Sequence, residues 1–152
     1  MHMKKILYLD MDNTLVDFRS GIDALKPDDL RRYEGRYDDA PGIFRLMEPM
    51  EGALEAFGEL SILFDTYILS TAPWENPSAW SDKLRWVRKH LGNAARKRLI
   101  LSHHKHLNIG DYLVDDRHDA NGADRFQGEL IHFGGIAYPD WRSVTEYLAG
   151  EA

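Results

Sequence analysis

Ile6-Leu7-Tyr8-Leu9-Asp10-Met11-Asp12-Asn13-Thr14-Leu15 decides how this chain is read. Four apolar residues without alternation suit a short strand buried on both faces, as in the middle of a parallel sheet. The run ends on a carboxylate. Two residues of spacing would keep Asp10 and Asp12 on one side only in a regular strand, so the chain must turn after Asp10. Asn13 and Thr14 suit that turn.

Four further runs repeat the pattern. Phe64 to Leu69 closes with Ser70-Thr71-Ala72-Pro73, Leu99 to Leu101 follows, Tyr112-Leu113-Val114 ends at Asp115-Asp116, and Leu130 to Phe133 precedes Gly134-Gly135. Helical spacing lies between them. Ala53, Phe57 and Leu60 mark a helix over Glu51 to Leu60. Trp80, Leu84, Val87 and Leu91 form a longer stripe that Gly92 stops. Asp140 can cap a helix whose inner face carries Trp141, Val144 and Leu148. Strands alternating with helices predict an α/β, Rossmann-like fold. Its parallel sheet has about five strands, with helices on both faces. Residues 17–49 break the rhythm: they are polar and interrupted by Pro27, Gly35, Pro41 and Gly42. They read as a short cap insertion after the first strand of a single domain spanning residues 1–152.

The 152 residues fit one compact domain, with 43% hydrophobic and 29% charged residues, an ordinary globular balance. There is no cysteine, so any metal must be held by oxygen or imidazole. A formal net charge of −6 with scattered basic residues argues against a duplex nucleic acid partner, whose affinity rests on many phosphate contacts. It leaves room for a small phosphorylated ligand bound at one local site. No apolar run approaches a membrane span, and Met1 to Lys5 is too short a lead for a signal peptide, so a cytoplasmic location is expected. Oligomeric state is not legible.

In an open α/β sheet, ligands bind beyond the carboxyl ends of the strands. Asp10 with Asp12, Thr71, and Asp115 with Asp116 all fall there. Taken singly, each is as well a turn former, a helix cap or a solvated loop. Together, four carboxylates on one edge repel one another and call for a cation, for which Mg²⁺ suits an all-oxygen site.

These residues resemble the motifs of the haloacid dehalogenase superfamily, in order: Asp10-Met11-Asp12-Asn13-Thr14, Thr71 after Tyr67-Ile68-Leu69-Ser70, Lys83 on the following helix, and Asp115-Asp116. A further likeness is to the 5′(3′)-deoxyribonucleotidase branch. It is carried by Asp10 through Val16-Asp17-Phe18, by Glu48-Pro49-Met50-Glu51-Gly52-Ala53, by Thr71-Ala72-Pro73 and by Leu113-Val114-Asp115-Asp116-Arg117. Two departures stand out. The branch usually has Gly where Asn13 stands, and its helical cap is longer than residues 17–49.

The resemblance implies a Mg²⁺-dependent phosphomonoester hydrolase that works through an aspartyl-phosphate on nucleoside monophosphates. Asp10 would be the nucleophile and Asp12 the general acid and base. Asp10, the Asp12 carbonyl and the Asp115-Asp116 pair would hold the metal. Thr71 would bond the phosphate, and Lys83 would offset the charge of Asp10 and phosphate. Asn13, Phe18 and Ala72 would join Thr71 and Lys83 around the substrate. Other readings remain: a phosphatase for another small metabolite, a receiver-like phosphoacceptor domain, or a catalytically silent phosphate-binding module. A receiver carries its acidic pair before the acceptor Asp, the reverse of the order here. His103, His104 and His106 read as a solvated loop rather than a metal site. Arg117 reads as a structural ion-pair partner, and Trp74 as the one tryptophan free to face a ligand.

Overall fold

The computed structural model describes residues 3–152. Strand β1 (Ile6–Leu9) runs into a tight loop and out through β2 (Val16–Asp17). The latter pairs antiparallel with β3 (Glu48–Pro49), so the residues between them leave and return through one narrow ribbon. Between the two strands lie α1 (Phe18–Asp23), α2 (Pro27–Arg32) and α3 (Ile43–Leu46). The rest follows as α4 (Ala53–Leu63), β4 (Asp65–Ser70), α5 (Pro77–His90), β5 (Leu99–Leu101), β6 (Tyr112–Asp115), β7 (Glu129–His132) and α6 (Trp141–Glu151), with only single helical turns between β5, β6 and β7.

The five longer strands form one parallel sheet in the order β5-β4-β1-β6-β7. This places β1 at its centre. Leu9 lies beside Ile68 on one side and Val114 on the other. The register brings the residues after all three strands to a common edge, the place where the sequence had put its carboxylates.

Helix ends follow local chemistry. Pro77 opens α5, Arg88, Lys89 and His90 fill its last turn, and Gly92 just beyond adopts a positive φ of 65°. Asp140 caps α6 through a capping box with Ser143. As the spacing predicts, Ala53, Phe57 and Leu60 are buried on α4, and Trp141, Val144 and Leu148 on α6. The stripe on α5 needs correction. Val87 is buried and Trp80 and Leu91 pack against the core as expected, but Leu84 is 46% exposed, and Ala79, Asp82, Lys83 and Trp86 are buried as well. Polar side chains take inward positions there because they have partners, described below.

The two sides of the sheet are covered unequally. Residues of α4, α5 and α6 share the larger core with Leu7, Leu9, Ile68 and Val114. Tyr8, Leu69 and Leu113 alternate with these and pack with Ala123 and Phe126, from a single helical turn and its end. Among the described residues, no helix is long and apolar enough to cross a membrane.

One bond ties the last helix to the first loop. The indole Nε1 of Trp141, a residue 2% exposed, donates to the Thr14 carbonyl at 2.7 Å. Thr14 belongs to the turn that carries Asp12, closed by Thr14 N–H to Met11 O at 3.0 Å and Asn13 N–H to Val16 O at 2.7 Å. Trp141→Phe keeps most of the apolar contact and removes this donor. It should destabilise the fold by about 1–3 kcal/mol, because a buried carbonyl loses its partner. Urea denaturation measures this, and an unchanged midpoint would show that the bond contributes nothing.

Candidate active site

The site begins with the turn after β1. Asn13 has a φ of +59°, a left-handed conformation that Asn tolerates better than most residues and Gly better still. This is the physical content of the Asn-for-Gly departure noted above: the backbone needs a positive φ, and Asn supplies it. The bend leaves Asp10 buried at 6% exposure and swings Asp12 toward another set of partners.

Asp10 lies under a lysine that the sequence reading passed over. Lys105 Nζ donates to Asp10 Oδ1 at 2.9 Å and to Asp115 Oδ2 at 2.6 Å. Lys105 is 3% exposed, in the helical turn Lys105–Leu107 after β5. Its backbone N–H is fixed by the Asn121 carbonyl at 2.7 Å. The loop around His103, His104 and His106 is therefore not merely solvated, since it delivers a buried ammonium to the sheet edge. A lysine ten positions ahead of the acidic pair, between a strand and that pair, was the available signal, masked by three histidines around it.

Lys83 departs from its expected place. Its Nζ donates to Asp12 Oδ1 at 3.0 Å and to Ser70 Oγ at 2.8 Å, and it lies 4.5 Å from the Phe44 ring centroid. Buried two turns into α5, it reaches Asp12 from beneath and does not line the cleft. The hydrogen-bonded cation beside Asp10 is Lys105.

The acidic pair closes the arrangement. Carboxylate oxygens of Asp10, Asp115 and Asp116 all lie within 4.8 Å of one another. Asp115 is fully engaged, with Oδ2 on Lys105 and Oδ1 accepting from the Arg117 backbone N–H at 3.0 Å. His132 Nε2 donates to the Asp116 carbonyl at 2.8 Å, which steadies the peptide after β6. Arg117 forms no ion pair among the described residues. Its side chain is exposed at the cleft, contrary to the structural pairing anticipated for it.

Electrostatics follow this geometry. Burial pushes the Asp10 carboxyl up, but Lys105, hydrogen bonds and Lys83 outweigh it and hold the group below the usual range, hence ionised. Burial raises Asp12, with Lys83 pulling the other way. Asp115 is pushed up to about 6 by burial and by Asp10. Asp116 is pushed up to about 8 by burial and by the neighbouring carboxylates of Asp10 and Asp115. Lys105 is desolvated, yet Asp10 and Asp115 raise it well above the ordinary lysine value. One ammonium does not neutralise three crowded carboxylates, and the donor set is all oxygen. Such a cluster fits a hard divalent cation.

The carboxylates lie in a cleft of about 730 Å³, a volume suited to a small organic ligand. Asp12, Asn13, Phe18, Tyr37, Asp38, Thr71 and Trp74 also line it. Trp74 is 75% exposed and packs edge-on against Trp80 and His103. Thr71 is present, but its hydroxyl donates to the Ser102 carbonyl at 2.7 Å. Ala72 is fully buried in the core and does not line the cleft, so its side chain contributes packing rather than a substrate contact.

Comparison with known proteins identifies the family and the fold. A family model described as 5′ nucleotidase, deoxy (Pyrimidine), cytosolic type C protein matches residues 22–146. A protein of Vibrio phage KVP40, provisionally named a 5′(3′)-deoxyribonucleotidase, is 60% identical over 148 residues, 97% of this chain and 86% of that protein. The cytosolic-type 5′(3′)-deoxyribonucleotidase of Homo sapiens is 31% identical over 146 residues, 76% of this chain and 72% of that one. Among solved structures, a HAD-hydrolase of Bacillus subtilis, YfnB, bound to magnesium, superposes with a TM-score of 0.63. Its identity is 13%, over 91% of this chain and 90% of that chain, a likeness of fold. The chain belongs to the 5′ nucleotidase, deoxy (pyrimidine), cytosolic type C family.

Proposed function

We propose that this chain is a phosphomonoesterase for nucleoside monophosphates that uses Asp10 as nucleophile. The observation that carries the reading is a buried carboxylate kept ionised by a buried lysine, on the floor of a cleft with aromatic walls. An Asp10 oxygen attacks phosphorus and the ester oxygen leaves. Asp12, whose raised affinity for protons suits a general acid, gives its proton to that oxygen. Asp12 then takes a proton from water as the water oxygen attacks the phosphorus of the aspartyl-phosphate. Inorganic phosphate leaves and the Asp10 carboxylate returns.

Mg²⁺ is the ion we assign to the oxygen cluster, and Asp10, Asp116 and the main-chain carbonyl of Asp12 would hold it. It would offset the repulsion between carboxylate and phosphate. Asp116 is the better direct ligand of the acidic pair, since Asp115 already spends both oxygens on Lys105 and the Arg117 N–H. Lys105 keeps Asp10 ionised and adds positive charge where phosphate arrives. Lys83 orients Asp12. Thr71 can reach phosphate by exchanging its bond to the Ser102 carbonyl. Residues 17–49 act as a reduced cap, presenting Phe18 and Tyr37 to the leaving group beside Asn13 and Trp74.

Two outcomes follow. With Mg²⁺, the protein should hydrolyse nucleoside monophosphates and p-nitrophenyl phosphate with steady turnover. EDTA should stop both reactions, and added Mg²⁺ should restore them. A single phosphorylation without turnover would instead mark a receiver-like acceptor. Lys105→Met should lower kcat by about 10²–10³-fold, the scale for losing one preorganised charge-stabilising group, because Asp10 and Asp115 would then share protons. Steady-state kinetics with a thermal melt to check folding tests this, and kcat within twofold or so of the parent would remove Lys105 from the chemistry.

A further inference from the structure

Asn76 stands at the start of α5, where an Asn side chain ordinarily accepts from the helix's own first N–H groups. Here it makes no such cap. The residue is 1% exposed, and its amide is turned toward the insertion. Nδ2 donates to the Asp38 carbonyl at 2.9 Å and to the Ala40 carbonyl at 3.1 Å. Oδ1 accepts from the Ser78 hydroxyl at 2.6 Å, and Ser78 Oγ accepts from the Gly42 N–H at 3.0 Å. Both Nδ2 partners are carbonyl oxygens, so only one orientation of the amide satisfies them.

This chain of bonds joins two parts of the cleft. Asn76 lies five residues after Thr71, in the loop that also gives Pro73 and Trp74 to the lining. The segment it grips contains Tyr37 and Asp38, which line the same cleft from the insertion. Other ties hold the insertion elsewhere. Arg45 on α3 pairs with the buried Asp82 at 3.1 Å, and Trp86 Nε1 donates to the Met47 carbonyl at 3.0 Å. Among the described residues, the side-chain hydrogen bonds that fasten 37–42 to the rest of the fold are those of Asn76 and Ser78. Ala40 is also buried in the core, and its carbonyl and that of Gly42 bond into α3, so losing the Asn76 and Ser78 bonds should shift this wall while α3 stays docked.

We propose that Asn76, working with Ser78, is a positioning residue. It sets the distance of the Tyr37–Asp38 wall from Asp10 and thereby the preference for a nucleoside over a small leaving group. The inference rests on the nucleotide reading above. On this account the insertion is a fixed wall at 37–42, and selectivity is stored in a buried amide that touches no substrate. A wall displaced by an ångström or so should cost binding of a leaving group that reaches it. A leaving group that stops short should be spared.

The test is steady-state kinetics of the whole chain with Mg²⁺ on thymidine 5′-monophosphate and p-nitrophenyl phosphate. Asn76→Ala, Asn76→Asp, Ser78→Ala and Ser78→Thr are compared with the parent. Asn76→Asp keeps the shape but sets a carboxylate against two carbonyls. Asn76→Ala and Asn76→Asp should raise KM for the nucleotide about tenfold or more with kcat little changed, and lower the selectivity ratio accordingly, within the range that small misplacements cause. Ser78→Ala should move the same way by less, and Ser78→Thr should restore the parent ratio. If Asn76→Ala fails to fold, Asn76→Asp and the Ser78 pair carry the comparison. Equal losses on both substrates, or a ratio that stays put, would overturn the proposal while a nucleotide-selective parent left the functional reading standing. A parent that did not favour the nucleotide would overturn both.

Discussion

A single buried ammonium holds the carboxyl edge of this sheet together. Lys105 lies between Asp10 at the end of β1 and Asp115 at the end of β6, on adjacent parallel strands. Desolvating one lysine and two aspartates is costly, and such an arrangement survives only with short, well-directed bonds. The distances of 2.9 and 2.6 Å meet that condition. Even so, the third carboxylate, Asp116, is pushed up to about 8 by burial and by its neighbours Asp10 and Asp115. An edge that is negative, buried and all-oxygen is poised for a cation and a phosphate. The fold tolerates it because the strands are otherwise packed on apolar residues such as Leu9, Ile68 and Val114.

The second lysine divides the labour. Lys83 lies under Asp12, bonded also to Ser70 and close to the Phe44 ring. The two aspartates of one short motif thus have separate cations and opposite tendencies, Asp10 held ionised and Asp12 inclined to keep a proton. A nucleophile and a general acid need that difference. The two side chains are parted by the tight turn that begins after Asp10 and is completed by Asn13 with its positive φ, and Trp141 braces that turn from the far end of the sequence.

Much of this was legible beforehand because local chemistry and long-range order agreed. Short apolar runs located the strands to within a residue or two, and the Asp140 cap located α6. The positions of Asp10, Asp12 and Asp115-Asp116 followed from strand ends. Lys105 and Lys83 were harder, because a lysine's partner is set by packing between distant elements and its long stem spans many ångströms. The charge of Lys83 helps to lower Asp10, but its direct bond goes to Asp12, and Lys105 was hidden among histidines in what reads as loop. Leu84 shows the reverse: an apolar residue in register with the stripe lies outward because Asp82, paired with Arg45 and Arg85, and Lys83, bonded to Asp12 and Ser70, take the inner face. Ala72 sits next to Thr71 in sequence, yet its side chain packs into the core.

If Asp10 is the nucleophile, phosphorus is carried on its carboxylate during each turnover. Protein mixed with substrate and Mg²⁺, quenched in acid during turnover and digested, can be read by mass spectrometry. The account predicts one phosphoryl group on the peptide containing Asp10, present during turnover and gone once substrate is exhausted. Steady hydrolysis with no phosphorylated peptide, or with the group on another residue, would contradict it.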